Sequence, residues 1–126
     1  FEPAEQIERY TLERHFEGFV REGNRGVGTR NYIVLLATTS LTSSYVKELE
    51  TRFKNKVKAY PNVDGVVAVA HTEGGTKTKP NNYDLVLRTL AGFVTHPNVA
   101  AVLCVDRGHE VISNRTLESY LREHYY

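Results

Sequence analysis

Apolar residues gather along the chain in three short runs, "YIVLLATT", "VVAVAH" and "VAAVLCV". Each is six to eight residues long. Near-continuous runs of this length, rich in Val, Leu and Ile, predict strands covered on both faces. Between the runs the period changes. From Thr42, the residues Val46, Leu49, Phe53 and Val57 recur every three or four positions with charge between them. That spacing predicts an amphipathic helix, with Ser40, Thr42 or Ser43 available to cap it. "YPNVDG" breaks this helix. Pro80 and Asn81 introduce a second, with an apolar face of Tyr83, Val86, Leu90, Phe93 and Val94, and "HPN" ends it. "SNRTLESYLREHYY" predicts a third helix with Leu117, Tyr120 and Leu121 on one side.

Upstream of the first strand, two extended runs flank "EGNRG", and glycines at 23, 26 and 28 supply the permissive backbone of a tight connection. The opening "FEPAEQIERY" is polar and reads as an arm or short helix. Residues 1–15 are therefore assigned to an N-terminal arm or linker, and 16–126 to one α/β domain. Strand and helix alternate three times after the hairpin. Right-handed crossovers turn that order into a three-layer, Rossmann-like domain with a mainly parallel sheet. Such sheets bind ligands beyond the carboxyl ends of their strands. The loops expected there are "TTSLTSS", "HTEGGT" and "DRGHE".

Composition narrows the function classes. The chain has 126 residues, enough for a single core. Lys+Arg 16 against Asp+Glu 15 leaves a net charge of +1, which is no nucleic-acid footprint. Lys54, Lys56 and Lys58 fall on the first predicted helix, and Lys77 and Lys79 in a loop; both sets read as solvated faces. No apolar run approaches the roughly 20 residues of a membrane span. One cysteine and no leader pattern point to a cytoplasmic chain. The absence of methionine, even at position 1, suggests a piece of something longer.

The candidate chemistry lies in the three loops. Gly74-Gly75 before a helix suits an anion, yet no GxGxxG or Walker spacing surrounds it, so an ordinary strand-to-helix turn is the favoured reading. His71 ends the second strand; Glu73, Asp106, His109 and Glu110 are placed near it by the same topology, a set that can hold a divalent cation. Cys104 lies in mid-strand and reads as a small core hydrophobe. Arg30 and Asn31 precede the first strand, and arginine is shaped for a two-pronged carboxylate contact; an inter-strand or inter-domain salt bridge is the alternative.

The words "FEGFVREGNRGVGTRNYIVLLATTS", "YPNVDGVVAVAHTEGG" and "RTLAGFVTHPNVAAVLCVDRGHE" resemble the altronate dehydratase/galactarate dehydratase family of sugar-acid hydro-lyases. The match runs from about Phe16 to Glu110, and "GVGTRNY" and "RTLAGFVTHPN" carry it most specifically. The resemblance implies the middle domain of a larger enzyme that removes water from a hexonic or hexaric acid, giving a 2-keto-3-deoxy product with the help of Fe(II) or a similar divalent metal. It also implies, as partners, a small-molecule sugar acid and the remaining domains of the same parent chain, with a homodimer left open and neither nucleic acid nor membrane involved. Family members place a cysteine in each of the three loops, and the matching positions here are Leu41, Gly75 and His109. The family histidine is His71, and the acid after the third cysteine is Glu110. The site expected from this resemblance uses His71 and Glu110 as catalytic groups and Arg30, Asn31, Thr38, Ser40, Gly74 and Gly75 around the substrate. Its reduced metal set would be His71, His109 and Glu110. The alternative is a catalytically degenerate paralogue, or an acidic-sugar-binding module, that kept the scaffold. A nucleotide-binding domain, a weaker idea, rests on the glycine loop alone. The 126-residue stretch by itself is expected to be inactive.

Overall fold

A computed structural model describes residues 11–124. The reading of residues 1–10 as an arm or short helix lies outside the described residues. A short antiparallel hairpin, β1 (Phe19–Val20) and β2 (Val27–Gly28), comes first, with Val20 opposite Val27. β3 (Tyr32–Ala37), β4 (Gly65–Val69) and β5 (Val99–Val105) form one parallel sheet in the order β4-β3-β5. α1 (Ser43–Phe53) connects β3 to β4, α2 (Tyr83–Thr95) connects β4 to β5, and α3 (Asn114–His124) follows. The Rossmann-like α/β layering expected from the sequence is present, hairpin included.

β3 is central, and its side chains alternate between two cores, as the pleat requires. Val34 and Leu36 pack with Leu87, Leu90 and Leu117 of α2 and α3, while Leu35 and Ala37 pack against Val46 of α1. The two crossovers run in opposite directions from β3 and β4, so the same right hand puts α1 on one face and α2 on the other. Fully burying a side chain such as Leu36 stabilises the fold by about 1.5–3 kcal/mol.

Local boundaries differ from the sequence reading in informative ways. Among the described residues only β3 is buried over a continuous run, from Val34 to Ala37. β4 and β5 are edge strands, and Val67 and Leu103 are 38% and 52% exposed. A continuous apolar run cannot tell a central strand from an edge strand, because neighbours decide that. α1 ends at Phe53, and Val57 lies in a separate 3-10 turn, Lys56–Ala59, which also carries Lys56 and Lys58. The N-terminus of α1 has no side-chain capping hydrogen bond from the expected serines and threonines, and the helix is entered through a 3-10 turn, Ser40–Thr42. At α3, by contrast, the Thr116 N–H donates to Ser113 Oγ at 3.3 Å, a side-chain cap of the usual kind.

The hairpin is fastened to the far end of α2. Arg25 donates to the carbonyls of Thr95, His96 and Val99, at 3.2, 3.2 and 2.7 Å. Thr95 is the last residue of α2 and His96 its C-cap, where carbonyls lack intrahelical donors and a cation is favoured. Arg21 Nε donates to Pro97 O at 2.7 Å. Gly28 is required here, since a Cβ on it would stand 2.1 Å from Pro97 O.

Candidate functional site

The three loops expected at the carboxyl rim do meet. The Ser40 N–H donates to Glu73 O at 2.8 Å, joining residues 38–42 to 70–82. Thr39 Oγ1 donates to Glu110 Oε1 at 3.4 Å, joining the first loop to residues 106–113. The Val111 N–H approaches Thr76 O at 3.5 Å, which closes the triangle. The chain reverses tightly inside the second loop at Gly74, whose φ of +71° suits glycine. A Cβ there would also press to 3.0 Å from Ile112 Cδ1, so the third loop roofs the second.

The strand ends are locked by hydroxyls. Thr42 Oγ1 donates to Val105 O at 2.9 Å, and Thr38, fully buried, donates to the same carbonyl through its N–H at 3.1 Å. Ser43 bridges α1 to β4's end, its Oγ donating to His71 O at 2.6 Å and accepting from the His71 N–H at 3.1 Å. Sequence reading took Ser43 and Thr42 for helix caps. They are cross-links between strand ends, and only their position opposite β4 and β5 reveals it.

His71 is held at both ring nitrogens. Nε2 lies 2.9 Å from Ala37 O, and Nδ1 accepts the Glu73 N–H at 3.2 Å. Together these bonds suit the neutral ring with its proton on Nε2. Glu73 Oε2 in turn accepts from Asn82 Nδ2 at 2.9 Å, tying the loop to the start of α2.

Glu110 is 7% exposed and organises its own loop. Its carboxylate accepts the Arg107 N–H at 3.0 Å and the His109 N–H at 3.0 Å, besides the Thr39 hydroxyl. Burial on its own pushes this carboxyl up. The backbone N–H groups of Glu110, His109 and Arg107, with the charge of His109, outweigh it and hold the group below the usual carboxylate range. His109 is exposed, its Nδ1 lies 3.2 Å from Arg107 O, and its Nε2 has no hydrogen-bond partner among the described residues. Cys104 points into the α2 and α3 core, where burial and then the charge of Asp106 push its thiol up to about 11.

Of the expected site residues, Thr38, Ser40, His71, Gly74, Gly75, His109 and Glu110 come together at this rim. Leu41 and Gly75 are neighbours, since a Cβ on Gly75 would stand 3.4 Å from Leu41 Cγ and 2.5 Å from Ser40 Oγ. Arg30 and Asn31 do not join them. They precede β3 at the opposite end of the sheet, a strand's length of roughly 20 Å away. There Arg30 lies 3.8 Å from Asp64, and the Asn31 side chain meets Asn62 O and Arg21. The salt-bridge alternative describes that corner.

A groove of about 330 Å³ adjoins the second loop, lined by Val69, Leu85, Val86 and Phe93 with His71 and Glu73 at one end. Its walls are chiefly apolar, and a polyhydroxylated acid buried there would leave most of its hydroxyls unpaired. Among the described residues no three His, Cys, Asp or Glu side chains converge into a cation-binding group.

With this geometry in view, similarity to known proteins is specific. A family model described as D-galactarate dehydratase/altronate hydrolase, second domain, matches residues 18–125. The altronate dehydratase of Escherichia coli (strain K12) is 31% identical over 91 residues, which are 71% of this chain and 18% of that protein. The chain thus spans under a fifth of this relative's length. No solved structure matches.

Proposed function

The chain belongs to the D-galactarate dehydratase/altronate hydrolase family, whose second domain it matches, and from that premise we propose that it forms one wall of a sugar-acid dehydratase. The reaction removes water from a hexonic or hexaric acid and gives a 2-keto-3-deoxy acid. The observation that carries the reading is the meeting of three loops at the carboxyl rim, made through Ser40 to Glu73, Thr39 to Glu110 and Val111 to Thr76.

Dehydration requires a base for the proton next to the carboxylate, an acid for the departing hydroxide, and positive charge near the enediolate. His71 and Glu110 spend their polar atoms on backbone groups. In this proposal they are positioning residues that fix the second and third loops. His109 is exposed at the rim, and its Nε2 is free to meet a substrate. The donor set described here does not fit a divalent cation such as Fe(II): Leu41 and Gly75 offer no ligand atom, and His71 and Glu110 are already engaged. A complete coordination sphere would need ligands from other parts of the parent chain, and the domain's own contribution is shape and hydrogen bonding.

The same observation favours a second reading, a scaffold that binds acidic sugars without turning them over. Assay of the full-length protein with altronate and galactarate, following 2-keto-3-deoxy acid, separates the two. Turnover by the full-length protein and none by the 126-residue stretch is the expected result. Saturable binding without product would establish the second reading. Product from the isolated stretch would overturn the first.

A further inference from the structure

The sheet order β4-β3-β5 leaves β5 at an edge among the described residues. β5 reads "VAAVLCV", without a charge or proline, and among the described residues no strand pairs with its outer side. Natural sheets protect such an edge with lysine, proline or a covering element. Here Arg25 occupies the Val99 carbonyl at one end and Asn114 Nδ2 donates to Cys104 O at the other, and the backbone between them is open. The adjoining face is bare as well. In register, Leu103 stands beside Leu35 and therefore on the α1 face, but α1 packs over β3 and β4. Leu103 is 52% exposed, and Ala101 on the same face is exposed.

Topology says what comes next. The β4-to-β5 crossover moves outward past β3 with α2 on one face, and α3 packs on that same face through Leu117, Tyr120 and Leu121. A crossover of the same hand through α3 deposits its following strand beside β5, on the open side. Parallel sheets are normally covered on both faces, so a further helix would then lie over Leu103. The E. coli relative is more than five times as long as the matched stretch, so chain exists in such proteins to supply both.

We infer that the open edge of β5 and the bare patch at Ala101 and Leu103 receive a parallel strand, and its covering element, from the part of the parent chain that follows α3. The surface is thus an intramolecular junction between this domain and the remainder of the protein. It is a separate matter from the dehydratase reading, because it concerns sheet closure and not the rim.

The test places p-benzoylphenylalanine at Leu103 in the full-length protein and maps the photo-crosslink by mass spectrometry, alongside amide exchange of unsubstituted full-length protein. The expected crosslink lies within the same polypeptide, C-terminal to α3, and the Val102 and Cys104 amides exchange as slowly as those of β3. A crosslink to residues preceding β1, or one to a second copy that disappears on dilution to monomer, would overturn the inference. So would Val102 and Cys104 amides exchanging as fast as those at Lys77 and Thr78. If the substituted protein fails to fold, exchange in the unsubstituted protein decides alone.

Discussion

Glu110 illustrates how a residue expected to do chemistry is occupied by architecture. Its carboxylate gathers the N–H groups of Arg107 and His109, and the neutral amide of Glu110→Gln would accept them less strongly. The variant should lose about 1–3 kcal/mol at pH 7. The sign of the pH dependence follows from its lowered pKa. The contribution is complete above the ordinary glutamate value of 4.5 and is lost as pH falls through the lower value in the folded protein. Urea titrations should therefore show wild type and variant well separated at pH 7 and converging as the buffer is taken below pH 4.5. An unchanged gap at low pH would remove the charged hydrogen bonds from the account. Cys104 gives an independent check. With its thiol pushed up to about 11, alkylation in native protein at pH 8 should be at least about tenfold slower than in the unfolded chain. Equal rates would mean that the strand does not hold the thiol in the α2 and α3 core.

Among the elements, glycines in the second loop and in α2 should respond oppositely to one substitution. Gly74→Ala places a Cβ on a backbone with φ +71° and within 3.0 Å of Ile112 Cδ1, and should cost more than about 1 kcal/mol. Gly92 lies inside α2 with nothing within 4 Å of an added Cβ, so Gly92→Ala should gain up to about 1 kcal/mol. Thermal unfolding of the two variants measures both, and equal shifts would contradict the loop geometry. The elements also show where a linear pattern stops being informative. The 3.6-residue period of Tyr83, Val86 and Leu90 marked α2, because a helix buries whichever stripe is apolar. Ser43, at the start of α1, carried no such signal. A hydroxyl that caps a helix and one that bridges to His71 look alike until β4 is placed beside it.

At the scale of the whole molecule, the sheet separates two polar corners that the sequence had joined. Arg30 belongs to the amino end with Asp64, and its exposed pair is worth less than about 1 kcal/mol. If the proposed dehydratase reading holds, Arg30→Ala in the full-length protein should accordingly leave KM for the sugar acid turned over within about twofold, whereas a large rise would bring that corner into the substrate site. What the sequence determined by itself was the succession of strands and helices, the parallel sheet with its hairpin, and the three loops that follow the strands. Each of these follows from local periodicity and from the fixed hand of a crossover, which require no knowledge of distant residues. Only the tertiary structure decided that β4 and β5 are edges among the described residues, that Arg30 and Asn31 stand a strand's length from the rim, and that His71 and Glu110 are engaged by backbone groups, Glu110 by the Thr39 hydroxyl as well. Those outcomes depend on which groups become neighbours across the sheet, and a hydrogen bond between residues 71 positions apart, such as Thr39 to Glu110, leaves no periodic trace in the chain.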